Sequence, residues 1–160
     1  MRVLILTGGE DAAPLLRRLE AEGWACACRS SREFVSSCLP SLFSSRLCRL
    51  ERKPRSCRRG HARKVLEQSA RELRLYLEQH SFDAILCTQV PGALLLTEAL
   101  RQHPLPVRTC LVTLGDAFRP GTELCSVDRF VVSGEELIPQ FTARGIPAEK
   151  IFCHQPPNGV

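Results

Sequence analysis

The chain has 160 residues, 44% of them hydrophobic and 24% charged, with a formal charge of +5. That length supports one sizeable core rather than two, and the balance of apolar and charged residues excludes a wholly disordered chain. No apolar run is long enough to cross a bilayer as a helix, and Met1 to Gly9 lacks the features of a secretory signal.

With no export signal, the nine cysteines read as reduced thiols in the cytosol. Cys26 and Cys28 share one side of a strand, but their spacing is not the two-residue gap of common zinc knuckles. Cys38, Cys48 and Cys57 lack paired histidines at ligand spacing, so no metal site is expected. Cys87, Cys110 and Cys153 lie in apolar runs, where a thiol is small apolar filler.

In chain order, Val3 to Thr7 is an apolar strand that opens into Gly8-Gly9. Glu10-Asp11 begin a helix with Ala12, Leu15, Leu16 and Leu19 on its buried side; Pro14 is tolerated in the first turn. Trp24 to Cys28 reads as a second strand, giving a βαβ start with a glycine turn at the strand's C-terminal end. The turn is not G-x-G-x-x-G, so a flavodoxin-like or dinucleotide-binding reading rests on Gly8-Gly9 alone.

Ser30 to Ser45 reads as loop and short helix at the sheet edge. Arg46 to Lys64 then holds nine Lys/Arg against one acid, Glu51, and Pro54 and Gly60 argue against one continuous helix. Such a segment suits a solvated loop, an anionic lipid surface or, least, nucleic acid, because aromatics for stacking are scattered. His61 to His80 is the clearest helix, with Val65, Leu66, Ala70, Leu73 and Leu77 as its inward stripe and a Glu67–Arg71 pair outside.

Ala84 to Thr88 is an apolar strand, Gln89 to Gly92 a loop, and Ala93 to Arg101 a helix. Val107 to Leu114 is the next strand, followed by a loop through Asp116 and Arg119. Arg129 to Val132 is a buried strand, and Ser133 is placed to cap the helix that follows. Leu137 and Phe141 recur at helical spacing, Arg144-Gly145 stop the helix, and Lys150 to Cys153 starts another strand. The pattern predicts a three-layer α/β domain over residues 1–153, with five or six mostly parallel strands and a basic, serine-rich insertion at 30–60.

The stretch "VDRFVVSGEEL…FTARGIPAEKIF" from Val127 onward resembles the end of the N-terminal domain of the monogalactosyldiacylglycerol synthase / processive diacylglycerol glucosyltransferase family. "FDAILCT…P…LLLTEAL" resembles that family's D-x-I-x-x-T-H-P strand–loop–helix, and Gly8-Gly9 with Ala12-Ala13 resembles its G-x-G-H loop. The resemblance implies a Rossmann-like domain, the N-terminal half of a GT-B-type glycosyltransferase, with 154–160 beginning an interdomain linker. Three positions that carry histidine in the family hold other residues here, namely the Glu10-Asp11 turn, Gln89 and Arg119.

The resemblance implies Glu10, Asp11 and Asp116 as candidates for the acceptor-side base. It implies Gly8, Gly9, Thr88, Gln89 and Arg119 as acceptor-binding positions. Arg46, Arg49, Arg52, Lys53, Arg55, Arg58 and Arg59 would face an anionic membrane surface at the inner face of the membrane. The acceptor would be a diacylglycerol-type lipid. No cofactor is expected, and the nucleotide sugar would sit on a separate C-terminal half. No nucleic-acid partner is expected. A non-catalytic lipid- or protein-binding module that keeps the fold is the alternative.

Overall fold

The computed structural model describes residues 1–9, 12–35, 55–113 and 115–153, and of 55–61 only the backbone. Six strands form one sheet: β1 (Arg2–Thr7), β2 (Ala25–Ser30), β3 (Ala84–Cys87), β4 (Arg108–Val112), β5 (Arg129–Val132) and β6 (Ile151–Cys153). Their order is β2-β1-β3-β4-β5-β6, and every neighbouring pair is parallel. The helices are α1 (Ala13–Ala21), α2 (Ser31–Phe34), α3 (Arg55–Gln79), α4 (Val90–Gln102) and α5 (Ile138–Thr142).

The side-chain alternation of β1 divides the core. Val3 and Ile5 pack with Leu15, Leu16 and Leu19 of α1 on one face. Leu4 and Leu6 point the other way, into a larger core with Leu73 and Leu77 of α3 and Ala93 and Leu96 of α4. Phe130, Val132, Leu137, Phe141 and Ile151 extend that core under α5. Helices on both faces make the expected three layers, with the strands as nearly continuous apolar runs.

Two aspartates fix the lower margin of the sheet. The Arg2 N–H donates to Asp83 Oδ2 at 2.7 Å, tying the start of β1 to the start of β3. Asp128 Oδ2 accepts from the Thr109 N–H at 2.7 Å and from the Thr109 hydroxyl at 2.9 Å. The Asp128 N–H in turn donates to Thr109 Oγ1 at 2.9 Å, so β4 and β5 begin locked together. The aspartate of the V-D-R-F motif is therefore a fastening of the sheet, not part of its chemistry.

Several boundaries differ from those expected. The basic segment is partly helical: α3 starts at Arg55 and runs through Gly60. A single glycine costs only about 1 kcal/mol in a helix interior, which 25 residues of helix absorb. Residues 62–79 supply the buried stripe that was predicted, but Glu67 pairs back with Arg63 at 2.8 Å rather than with Arg71. Strand β2 starts one residue later than expected and ends two residues later, at Ser30, where Ser30 and Glu33 form a capping box that starts α2.

Helix α4 begins at Val90, so the Pro91-Gly92 pair read as loop is its first turn. Proline suits that position, and Gly92 lets the turn approach Leu6 and Ser31; a Cβ there would lie 3.7 Å from each. Ser133 does not cap α5. Its hydroxyl donates to the Gly115 carbonyl at 2.7 Å, and Glu135–Leu137 is a 3-10 turn ahead of the short helix. Gly145, with φ +86°, ends that helix as expected.

Replacing Asp128 with Ala removes two acceptor bonds and leaves a Thr109 N–H that must find water. The expected cost is about 1–3 kcal/mol, read as a lower urea midpoint with unchanged slope. An unchanged midpoint would remove the fastening role.

Candidate functional site

A parallel sheet gathers its strand C-termini at one end, where ligands of open α/β folds bind. Here that end carries, in spatial order, α2 after β2, Gly8-Gly9 after β1, Thr88-Gln89 after β3, the 115–121 loop after β4 and Ser133-Gly134 after β5. Four of the expected acceptor-side positions, Gly8, Gly9, Thr88 and Gln89, thus meet at two adjacent strands.

Their roles are not alike. The Thr88 hydroxyl donates to the Leu6 carbonyl at 3.3 Å and the Thr88 N–H to the same oxygen at 3.0 Å, so Thr88 closes the end of the β1–β3 pairing. Gln89 is the residue before α4, and its carboxamide lies against Gly8. A Cβ on Gly8 would collide with that carboxamide. Gly9, with φ +111°, takes a backbone shape that other residues rarely adopt.

The Arg32 guanidinium stands over Gly9, 3.7 Å from where a Cβ would be, with no carboxylate partner among the described residues. Sequence reasoning did not select Arg32. The available signal was the Ser30-to-Glu33 capping box, which puts the second residue of α2 beside the glycine turn.

The 115–121 loop is pinned over the neighbouring tips. Ser133 holds Gly115, the Phe118 N–H donates to Gln140 Oε1 at 3.2 Å, and the Phe118 ring meets Phe141 edge-on at 5.0 Å. Arg144 lies over the same ring at 5.1 Å. Gly121 approaches the first turn of α4, where a Cβ would come within 3.2 Å of Val90. Asp116 and Arg119 are both exposed on this loop, and the Arg119 guanidinium lies 3.7 Å from the Cβ position of Gly115.

Among the described residues this end carries the exposed Asp116 carboxylate, the Gln89 carboxamide and the Arg32 and Arg119 guanidinium groups, with the Glu136 carboxylate against Gly134. A carboxylate can accept a hydroxyl proton, and guanidinium groups can steady developing negative charge. Glu10 and Asp11 lie outside the described residues, as do Arg46, Arg49, Arg52, Lys53 and the 154–160 tail. Arg55, Arg58 and Arg59 fall in the first turns of α3, described by backbone alone.

The buried thiols are poor nucleophiles. Burial pushes the Cys87 thiol far up, and Cys110 and Cys125 rise to about 11, again mainly through burial. Such thiols stay protonated at neutral pH; Cys87 and Cys125 are buried filler, and Cys110 is half-buried. Among the described residues no group of three or more His, Cys, Asp or Glu could hold a metal ion. No helix among them is long and apolar enough to cross a membrane.

No family model and no curated protein matches the sequence. Among solved structures, the apo form of the lipopolysaccharide outer core galactosyltransferase WaaB superposes with a TM-score of 0.60 at 13% identity. The match covers 94% of this chain and 44% of that one. MurG of Acinetobacter baumannii gives a TM-score of 0.57 at 15% identity, over 97% of this chain and 46% of that one. The fold is that of one half of a GT-B-type glycosyltransferase. The chain spans a little under half the length of each of these proteins. At such identities the likeness is one of fold, and it does not distinguish a diacylglycerol acceptor from any other.

Gly8 and Gln89 are expected to be energetically coupled. Gly8→Ala should lower stability by no more than about 1 kcal/mol, because the Gln89 carboxamide is the far end of a flexible side chain and can turn away, and that loss should disappear in the Gly8→Ala, Gln89→Ala double variant. Additive effects in thermal melts would contradict the contact.

Proposed function

We propose that this chain is the acceptor-binding half of a hexosyltransferase of glycolipid synthesis, acting on a diacylglycerol-type lipid. A second, C-terminal half would hold the nucleotide sugar, with transfer in the cleft between them. The observation that carries the reading is the rim at the strand tips, set on a fold shared with one half of a galactosyltransferase. In this scheme Asp116 accepts the proton of the acceptor hydroxyl, with Glu10 and Asp11 as the alternative candidates for that base. Gly8, Gly9, Thr88 and Gln89 shape the floor, and Arg119 steadies negative charge.

Helix α3 supports a peripheral position on the inner, cytoplasmic face of the membrane. Its 25 residues extend about 37 Å, while a six-residue strand spans about 20 Å. Val65 and Leu66 share a small cavity with Ser31 and Pro91, level with the strand tips, so Arg55 to Lys64 run past the rim. On this reading the basic residues would stand at the same end as the proposed acceptor cleft. Each basic residue near an anionic surface contributes about 1 kcal/mol.

A second reading, a non-catalytic module that binds anionic lipid or protein, is favoured by Gln89 and Arg119. Neither side chain can serve as a general base at the histidine positions of the resembled family.

The readings separate in a transfer assay with labelled nucleotide sugar and diacylglycerol vesicles. The chain alone should give no product, and turnover by it would remove the need for a second half. Joined to the donor-binding half of a diacylglycerol glucosyltransferase, it should transfer sugar, and Asp116→Asn should lower the rate about 100-fold or more. Failure to transfer in the joined form would favour the non-catalytic module.

Vesicle flotation tests the membrane surface separately. Binding should require anionic lipid and fall more than about tenfold when Arg46, Arg49, Arg52, Arg55, Arg58 and Arg59 become Gln. Binding that ignores lipid charge would defeat the proposed surface.

A further inference from the structure

The α1 face of the sheet is only partly covered. Helix α1 packs over β1, β2 and the near side of β3. Among the described residues nothing lies over the same face of β4, β5 and β6. Cys110, Val112 and Val131 are only half-buried there, Phe152 is 40% exposed, and none of the four belongs to either apolar core. The register sets Leu86 beside Cys110 and Val112 beside Val131, which in turn lies beside Phe152. They form one apolar patch, and at its edge toward the strand starts a groove of about 410 Å³ is lined by Ala84, Leu86, Cys110, Thr109, Asp128 and the two arginines, Arg108 and Arg129.

Parallel sheets are stable almost only when both faces are covered, so a bare face over three strands is an incomplete layer.

The patch has the size of one helix. Three spacings of about 4.8 Å by strands of three to five residues give roughly 15 Å by 10–15 Å. An α-helix is about 10 Å across, and three turns span about 16 Å. A second copy docking face to face would gain on the order of 200 Å² from this patch, against about 800 Å² per partner in a stable complex.

The margin of the patch is cationic. Among the described residues Arg108 has no carboxylate partner, and Arg129 lies over the Phe152 ring at 4.7 Å rather than on an acid. The nearby Asp128 carboxylate is engaged by Thr109.

We propose that this face is the docking site for an amphipathic α-helix of a second polypeptide, one whose apolar stripe is flanked by carboxylates. The stripe would seat on Cys110, Val112, Val131 and Phe152, and the carboxylates would meet Arg108 and Arg129. Completing the layer removes apolar surface from water, and the charges select the partner and its direction.

The probe is a dye-labelled helical peptide of about 16 residues, with leucines at i, i+3, i+4 and i+7 and glutamates beside them. Fluorescence anisotropy with the full chain should show saturable binding, weakened about tenfold or more by Val131→Glu. The exposed pair Arg108→Glu, Arg129→Glu should weaken it similarly and instead bind a lysine-flanked version of the peptide. Matched circular dichroism melts establish that this pair leaves the fold intact. Absence of saturable binding, or equal binding of the glutamate and lysine peptides, would overturn the proposal. So would a wild-type dimer in sedimentation that Val131→Glu dissolves, since a second copy would then be the occupant. Vesicle binding abolished by Val131→Glu would overturn it in favour of a lipid surface.

Discussion

Uniform strand direction is the constraint on which the rest of the molecule depends. Because all six strands run the same way, every strand-to-helix turn emerges at one end and every helix-to-strand turn at the other. Polar groups far apart in sequence, from Gly8 to Ser133, become neighbours without any long-range contact of their own. The opposite end is held by Asp83 and Asp128, whose carboxylates accept backbone N–H groups from adjoining strands. One end is thus spent on closure, and the other is left open for ligands.

The reversal of strand order at β1 has a second effect. The crossover from β1 to β2 carries α1 to one face, while the later crossovers carry α2 to α5 to the other. A chain with one crossover in one sense and four in the other must leave its two layers unequal. The larger core lies under α3 and α4, and the smaller stops at β3. The apolar patch on β4 to β6 is therefore a result of topology rather than a local irregularity.

Much of this architecture was legible from periodicity. The apolar runs at Val3, Ala84, Val107 and Arg129 have strand length, and the Val65-to-Leu77 stripe has helical spacing that nothing else satisfies. Boundaries were less legible where two signals competed. Gly60 and Gly92 look like breaks, yet one is absorbed by a long helix and the other is needed for close packing on Leu6. Ser133 has the chemistry of a cap, but Gly134 takes the cap position and the Ser133 hydroxyl donates to the Gly115 carbonyl. Asp128 belongs to a dense motif that does not say what its carboxylate does, and its partners show that it fastens strands. The capping box marks where α2 starts, but the place of Arg32 over Gly9 depends also on the pairing of β2 with β1, which the sequence does not state.

The Gly8–Gln89 contact also limits how the rim could be rebuilt. The missing Cβ on one strand tip and the carboxamide on the next occupy a single shared volume. An imidazole at position 89, the group found there in the resembled family, would be a flat ring placed against bare backbone, with its orientation set by the glycine. The two positions therefore behave as a lock and its keyway. A chemist wishing to install a base at this tip should leave the glycine alone and vary only the opposing side chain.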